Sequence, residues 1–313
     1  AGNDRSVYAI SDDGERLAAL TDGVLRVYDV RTGAQVAGSP GPAQSVRAMA
    51  WSPASYTLAL IGVDRSYLWT PAGMGPAFGR GLGAPGQQSA WFSPGGSLLF
   101  AAARQSGERW AYDLRARRTV YQDQDVVVGP EDKVSIVFDG RDSQVRRGGT
   151  STTAPWLDRM PWEYTVFAPD GEQVAIAEDS GVQIYRLDGV PVLPNRLRPS
   201  PGALRFSADG HLLASTDNDR VRVWQVPDGT PVADRQVPTA GVDRPAQARL
   251  SPDGRWLRVL AGRGTVLTID LAHRASGRPP QSVAASICGD YGGLTRAEWN
   301  RWLSEVPFRE LCP

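Results

Sequence analysis

Apolar residues in this chain come in short runs, each broken within a few positions by turn-forming sequence. One arrangement recurs. A strand ending in a bulky apolar residue enters a four-residue turn and leaves as a second apolar strand. The copies read "YAISDDGERLAAL" (8–20), "AMAWSPASYTLAL" (48–60), "SAWFSPGGSLLFA" (89–101), "YTVFAPDGEQVAI" (164–176), "ALRFSADGHLLAS" (203–215) and "QARLSPDGRWLRV" (247–259), with a weaker one, "VVVGPEDKVSIVF", at 126–138. Their turns begin near residues 11, 52, 93, 129, 168, 207 and 251, so the spacings are 41, 41, 36, 39, 39 and 44. That is the period of a four-stranded propeller blade. Pro presets φ at the second turn position, and Asp-Gly or Gly-Gly supplies the positive φ of a tight hairpin.

A third strand follows each full copy, as in "VLRVYDV" (24–30), "RSYLWT" (65–70), "ERWAYDL" (108–114), "GVQIYRL" (181–187), "RVRVWQV" (220–226) and "TVLTIDL" (265–271). These segments alternate with period two and carry β-branched or aromatic residues, as half-buried strands do. Turns such as "RTG" (31–33) and "PDG" (227–229) lead on to a fourth, outer strand. The predicted fold is all-β: a seven-bladed β-propeller of four-stranded antiparallel blades over residues 1–287, followed by a short helical tail at 288–313.

Over residues 5–287 the chain resembles the WD-repeat propellers. The aromatic-Asp ending of the third strand stands as Tyr28-Asp29 and Tyr112-Asp113, and loosely as Trp69-Thr70, Tyr185-Arg186, Trp224-Gln225 and Ile269-Asp270. The Gly-His pair that precedes the inner strand in that family is missing from every blade, so the family's buried Asp–His–Ser/Thr–Trp network cannot form. Stability is expected instead from aromatic packing between blades, with Trp51, Phe92, Phe167 and Phe206 at equivalent positions.

Blade four departs from the repeat. Residues 133–166 lack the aromatic-Asp ending and read as a long irregular insert that gathers Arg141, Arg146 and Arg147, then Trp156, Met160 and Trp162. Trp, Arg and Met are the residues of binding hot spots. The plainer reading is that Trp156 and Trp162 fill space against neighbouring blades.

Composition narrows the partner. Thirty-four Lys and Arg balance 34 Asp and Glu, which argues against nucleic acid or an anionic membrane held by bulk charge. No apolar run is long enough for a transmembrane helix, and a cytoplasmic location is expected. The sequence holds no G-x-S-x-G elbow, H-E-x-x-H, C-x-x-C or D-x-D-x-D-G loop. "GLGAPG" (81–86) matches G-x-G-x-x-G, but a strand rather than a helix follows it, so it reads as an inter-blade loop. Its two histidines, His211 and His273, stand in separate loop-like contexts. No enzyme activity, cofactor or metal site is expected.

The tail holds both cysteines. Residues 281–289 alternate and suit the outer strand of blade seven, closing the ring. Thr295 and Glu298 form a capping box for a helix over 296–303, and Trp299, Trp302 and Leu303 share one face. Pro307 blocks its continuation. The return would bring Cys312 near Cys288, a geometry that permits a disulfide, while a cytoplasmic setting would keep the thiols reduced. The Ile287-Cys288, Leu294-Thr295, Glu298-Trp299, Pro307-Phe308-Arg309 and Cys312-Pro313 arrangement resembles the end of actinobacterial WD-repeat proteins. That resemblance implies a propeller that follows a signalling ATPase, protease-like or kinase effector in a longer polypeptide.

The expected function is non-catalytic binding of a protein or peptide through the loops at the channel mouth. The candidate contact residues are Arg47, Gln88, Trp156, Arg159, Trp162, Arg244 and Gln247. The alternatives are small-molecule or saccharide binding in the central channel, an enzyme built on a propeller, or a scaffold for oligomer assembly. Among inner strands, Arg205 and Arg249 stand out as charged residues in otherwise apolar or small-residue segments.

Overall fold

The computed structural model describes residues 6–79, 81, 88–103, 109–122, 125–139, 141–158, 160–161, 164–178, 180–198, 202–217, 220–237, 247–261 and 264–271, all within the compact unit Ala1–Ala272. The predicted closing strand, the capped helix, Cys288 and Cys312 lie outside the described residues.

Seven antiparallel meanders form the blades of a propeller. Blade 1 holds β1 (Val7–Ile10), β2 (Arg16–Thr21), β3 (Val24–Asp29) and β4 (Gln35–Pro40). Blade 2 holds β5 (Val46–Trp51), β6 (Leu58–Gly62), β7 (Ser66–Thr70) and β8 (Gly73–Met74), and blade 3 holds β9 (Gln88–Phe92), β10 (Leu98–Ala103), β11 (Arg109–Asp113) and β12 (Arg118–Gln122). Blade 4 holds β13 (Asp125–Val128), β14 (Val134–Phe138), β15 (Gln144–Arg147) and β16 (Thr150–Thr153). Blade 5 has β17 (Thr165–Phe167), β18 (Gln173–Glu178) and β19 (Gly181–Arg186), with bridges Val182–Leu197 and Tyr185–Pro191 marking its outer edge. Blade 6 holds β20 (Ala203–Phe206), β21 (Leu212–Thr216), β22 (Arg220–Gln225) and β23 (Pro231–Gln236), and blade 7 shows β24 (Gln247–Leu250), β25 (Trp256–Leu260) and β26 (Val266–Asp270).

Blade 4 is more regular than its sequence suggests. The stretch read as the start of an irregular insert supplies β15 and β16, joined by Gly148-Gly149, both at positive φ. All four residues of β16 are exposed. An outer strand with no buried face carries no apolar alternation, so period two leaves no trace in its sequence.

The alternation of each blade places one row against the preceding blade and the other against the next. Trp51 packs on blade 1, Phe92 on blade 2, Phe167 on blade 4 and Phe206 on blade 5. The expected aromatic packing between blades is therefore present. Trp51 adds an indole N–H bond to the Ala9 carbonyl at 3.1 Å, and its ring meets Tyr56 and Trp69 edge-on. The Trp69 N–H, buried on the third strand, has no acceptor, consistent with the missing histidine network.

Another polar device takes that network's place, at the turn between the first two strands. In blades 1, 6 and 7 the turn serine (Ser11, Ser207, Ser251) donates its hydroxyl to the aspartate two residues on (Asp13, Asp209, Asp253). The same oxygen accepts the N–H of Arg16, Leu212 or Trp256. The aspartate accepts the N–H two residues further along, from Glu15, His211 or Arg255. The serine hydroxyl bonds hold the carboxyls of Asp209 and Asp253 below their ordinary range. Each turn thus satisfies its own backbone before packing begins.

Blade 3 has glycine where this aspartate would stand, and blade 4 supplies the carboxylate. Asp132 accepts from the Ser93 hydroxyl at 2.9 Å, from the Gly95 N–H at 3.0 Å and from the Ser97 N–H at 3.1 Å, as well as from the Ser97 hydroxyl. A Cβ on Gly95 would lie 2.7 Å from the Asp132 carboxyl carbon, so glycine is required there by close approach. Asp132 and Glu131 both sit at positive φ, 60° and 51°, a conformation that costs a non-glycine residue about 1 kcal/mol or more.

Apolar clusters bridge the junctions from blades 1 and 2 through to blades 6 and 7. Among the described residues, no such cluster bridges blade 7 to blade 1. There, Arg249 pairs with Asp12 at 3.0 Å and Arg258 with Glu15 at 2.5 Å.

Candidate functional site: the two ends of the ring

An antiparallel four-stranded meander puts its turns at two opposite ends. The turns after first and third strands share one end, called here the turn end. The turns after second strands and the inter-blade loops share the other, the loop end.

Arg47, Gln88 and Gln247 lie at or near the starts of inner strands β5, β9 and β24, so the topology brings them to the loop end together. Arg47 is the extra residue of a β-bulge: Val46 faces Gly62, Ala48 faces Ile61, and Arg47 has no partner in the ladder. A bulge takes a side chain out of the strand's alternation. The Arg47 side chain is half-buried and its Nε is buried without an acceptor. The loops beside it are held firmly. Gln44 donates to the Arg65 carbonyl and accepts the Asp64 N–H, and Arg65 donates to the Gly79 carbonyl, at 2.8–3.0 Å.

Trp156 packs rather than projects. Its ring lies 5.3 Å from that of Tyr185, and a Cβ on Gly189 would come within 2.8 Å of it. With Met160 it joins the apolar cluster between blades 4 and 5. Beneath it, the Tyr185 hydroxyl donates to Glu178 at 3.0 Å and accepts from Arg196, which also pairs with Glu178 at 2.6 Å. Burial, then the Glu178 contact, raises the Tyr185 hydroxyl above its ordinary value. Of the other arginines of the blade 4 segment, Arg147 pairs with Glu172 of blade 5 and Arg146 turns to Gln144. Arg159, Trp162 and Arg244 lie outside the described residues, and nothing is described of the Gln88 side chain.

An open groove of about 1080 Å³ runs along blade 4, lined among others by Tyr121, Glu131, Gln144, Arg146, Thr150 and Glu172. Among the described residues, no group of three or more His, Cys, Asp and Glu side chains is placed to hold a metal ion. No helix there is long and apolar enough to cross a membrane.

The turn end carries a different chemistry. The Arg205 guanidinium, from β20 of blade 6, and that of Arg249, from β24 of blade 7, converge on one carboxylate, Asp12, at the tip of blade 1. Burial works against the charge of Asp12, but Arg205 and Arg249 outweigh it and hold the carboxyl below its ordinary range. Arg249 is pushed down to about 10 by burial and by Arg205, against the pull of Asp12. Both arginines stand out within their own strands, whereas Asp12 stands out only against the proline that five other blades carry at its position.

Residues 201–225, in blade 6, match the model of the WD domain, G-beta repeat. This blade carries the fullest copy of the repeat, from "LRFSADG" to the third-strand tryptophan. No curated protein matches the chain. Among solved structures it is similar to hydrazine synthase from Kuenenia stuttgartiensis, at 15% identity and a TM-score of 0.56, over 84% of this chain and 94% of that one. At that identity the likeness concerns the fold alone.

Proposed function

We propose that this chain is a non-catalytic binding module whose loop end receives a protein or peptide, and that it regulates an effector domain upstream in a longer protein. Propellers with WD repeats generally serve as protein-interaction modules, and blade 6 carries such a repeat. The observation that carries the reading is Arg47. A half-buried guanidinium set off the ladder by a bulge, beside loops fixed by Gln44 and with no acceptor among the described residues, offers its partly exposed head as a donor to a partner. A peptide carbonyl or carboxylate meets that need. Gln247 and Gln88 extend the same end, and Arg159, Trp162 and Arg244 are further candidates. Trp156 contributes by fixing the segment after β16 against Tyr185.

Selection of displayed random peptides on the full chain tests the proposal. Enriched peptides should lose at least tenfold in affinity on Arg47→Ala and less on Gln247→Ala. A selection that enriches nothing, or peptides indifferent to Arg47→Ala in a chain with an unchanged melt, would sink the reading.

A further inference from the structure

The seven turns between first and second strands are near copies, so departures from the repeat are informative. Their second position is Pro53, Pro94, Pro130, Pro169 and Pro252 in five blades and Ala208 in another. In blade 1 it is Asp12. The inner-strand residue two before the turn's first position is Ala9, Ala50, Trp91, Val127 or Val166 in blades 1 to 5. In blades 6 and 7 it is Arg205 and Arg249. The charged exceptions all fall on three consecutive blades of the ring, and the fold draws them together.

A seam between blades 7 and 1 needs only the Asp12–Arg249 pair, which is already close at 3.0 Å. Arg205 adds little to that seam. It comes from blade 6, approaches Asp12 only to 3.6 Å, and forces a second cation against Arg249. Glu15 cannot compensate, because Arg258, with 5% of its side chain exposed, already holds it. The result is two guanidiniums on one carboxylate. Arg249 is 16% exposed and cannot escape to solvent, whereas Arg205 keeps 40% of its surface open and Asp12 keeps 35%. Solvent therefore reaches a cluster with one positive charge in excess, whose open donors are those of Arg205, since Arg249 also gives its Nη1 to the Ala248 carbonyl at 2.9 Å.

We infer that the turn end of the ring, over blades 6, 7 and 1, binds a carboxylate-bearing ligand between Arg205 and Arg249, beside Asp12. Asp12 itself shows that the arginine pair accepts a carboxylate. A guest carboxylate would take the open face of Arg205 as a planar, two-pronged acceptor. This site stands apart from the loop end and does not rest on the reading proposed for it. Its source is a small polycarboxylic acid or an acidic side chain of a peptide.

Calorimetric titration of the full chain at low salt tests this, with citrate as one probe and an acetylated hexaglutamate peptide as the other. Saturable binding of at least one probe is expected, weakened at least tenfold by Arg205→Met. Asp12→Asn, which removes the competing internal carboxylate, should tighten it. Citrate alone binding assigns a small acid, and the peptide binding more tightly assigns an acidic segment. Should Arg205→Met fail to fold, Arg205→Lys keeps the charge without the fork and should still weaken binding severalfold. No saturable binding of either probe, binding indifferent to substitution of Arg205, or weakening by Asp12→Asn would overturn the inference.

Discussion

Asp132 is a carboxylate lent by one blade to the turn of another, and its removal has a calculable cost. Asp132→Gly removes the hydrogen bonds and also relieves the positive φ, so both effects enter its cost. Ser93, 1% exposed, loses the acceptor of its hydroxyl. A buried donor left unpaired costs about 1–3 kcal/mol. The N–H groups of Gly95 and Ser97 turn partly to water, at about 0.5–1 kcal/mol each. Relief of the left-handed conformation returns about 1 kcal/mol. The expected net loss is about 2 kcal/mol. With an unfolding entropy near 2.1 cal/mol/K per residue, that lowers the melting midpoint by roughly 3 °C. Gly95→Asp alone should cost a similar amount, because its Cβ would crowd the Asp132 carboxyl and set two carboxylates together. Combined with Asp132→Gly it rebuilds the self-contained turn of blades 1, 6 and 7, and the Glu131 backbone carbon, 2.9 Å from the new Cβ, must still move aside, which a glycine next to it permits. The double variant should melt within about 1 °C of the parent by the same entropy, read from tryptophan fluorescence. Losses that simply add would refute the idea that the two residues fill one role.

Trp51→Phe removes the bond to Ala9 and part of the edge-on contact with Tyr56 and Trp69, and urea unfolding should show a loss of about 2 kcal/mol. The Asp12 carboxyl is held below its unfolded value of 3.8, so its contribution is complete above that pH and lost as pH falls through the folded value. Asp12→Asn should therefore flatten the fall in melting midpoint below about pH 4, and an unchanged slope would count against the ionic seam. Deleting residues 281–313, which sequence reading assigns partly to the outer strand of blade 7, should lower the midpoint sharply. An unchanged melt would remove that strand from the ring.

The blades were legible because their turns repeat. Serine or alanine, proline and Asp-Gly recur at the spacing of a blade, and the apolar strands on either side alternate with period two. The outer strand of blade 4 escaped, since "TSTT" buries neither face. The Ser–Asp exchange within each turn could have been inferred from "SDDG", "SADG" and "SPDG". The loan of Asp132 could not, because "GPED" sets Glu131 at the pattern's acid position and Asp132 where the glycine stands, and only the neighbouring turn shows which acid is used and where it goes. Of the candidate contacts, Arg47 was found by its place in a loop, yet the bulge that frees it appears only in the pairing register. Trp156 was chosen for its residue type, and packing against Tyr185 accounts for its ring.

The central claim is that partners dock on the loop end. Amide hydrogen exchange of the full chain, with and without a selected peptide, tests it most directly. Protection is expected at the loops around Gln44 and Arg65 and at the first residues of β5, β9 and β24. Absence of protection at the loop end, whatever happens at the turns beginning at Ser11, Ser207 and Ser251, would contradict the account.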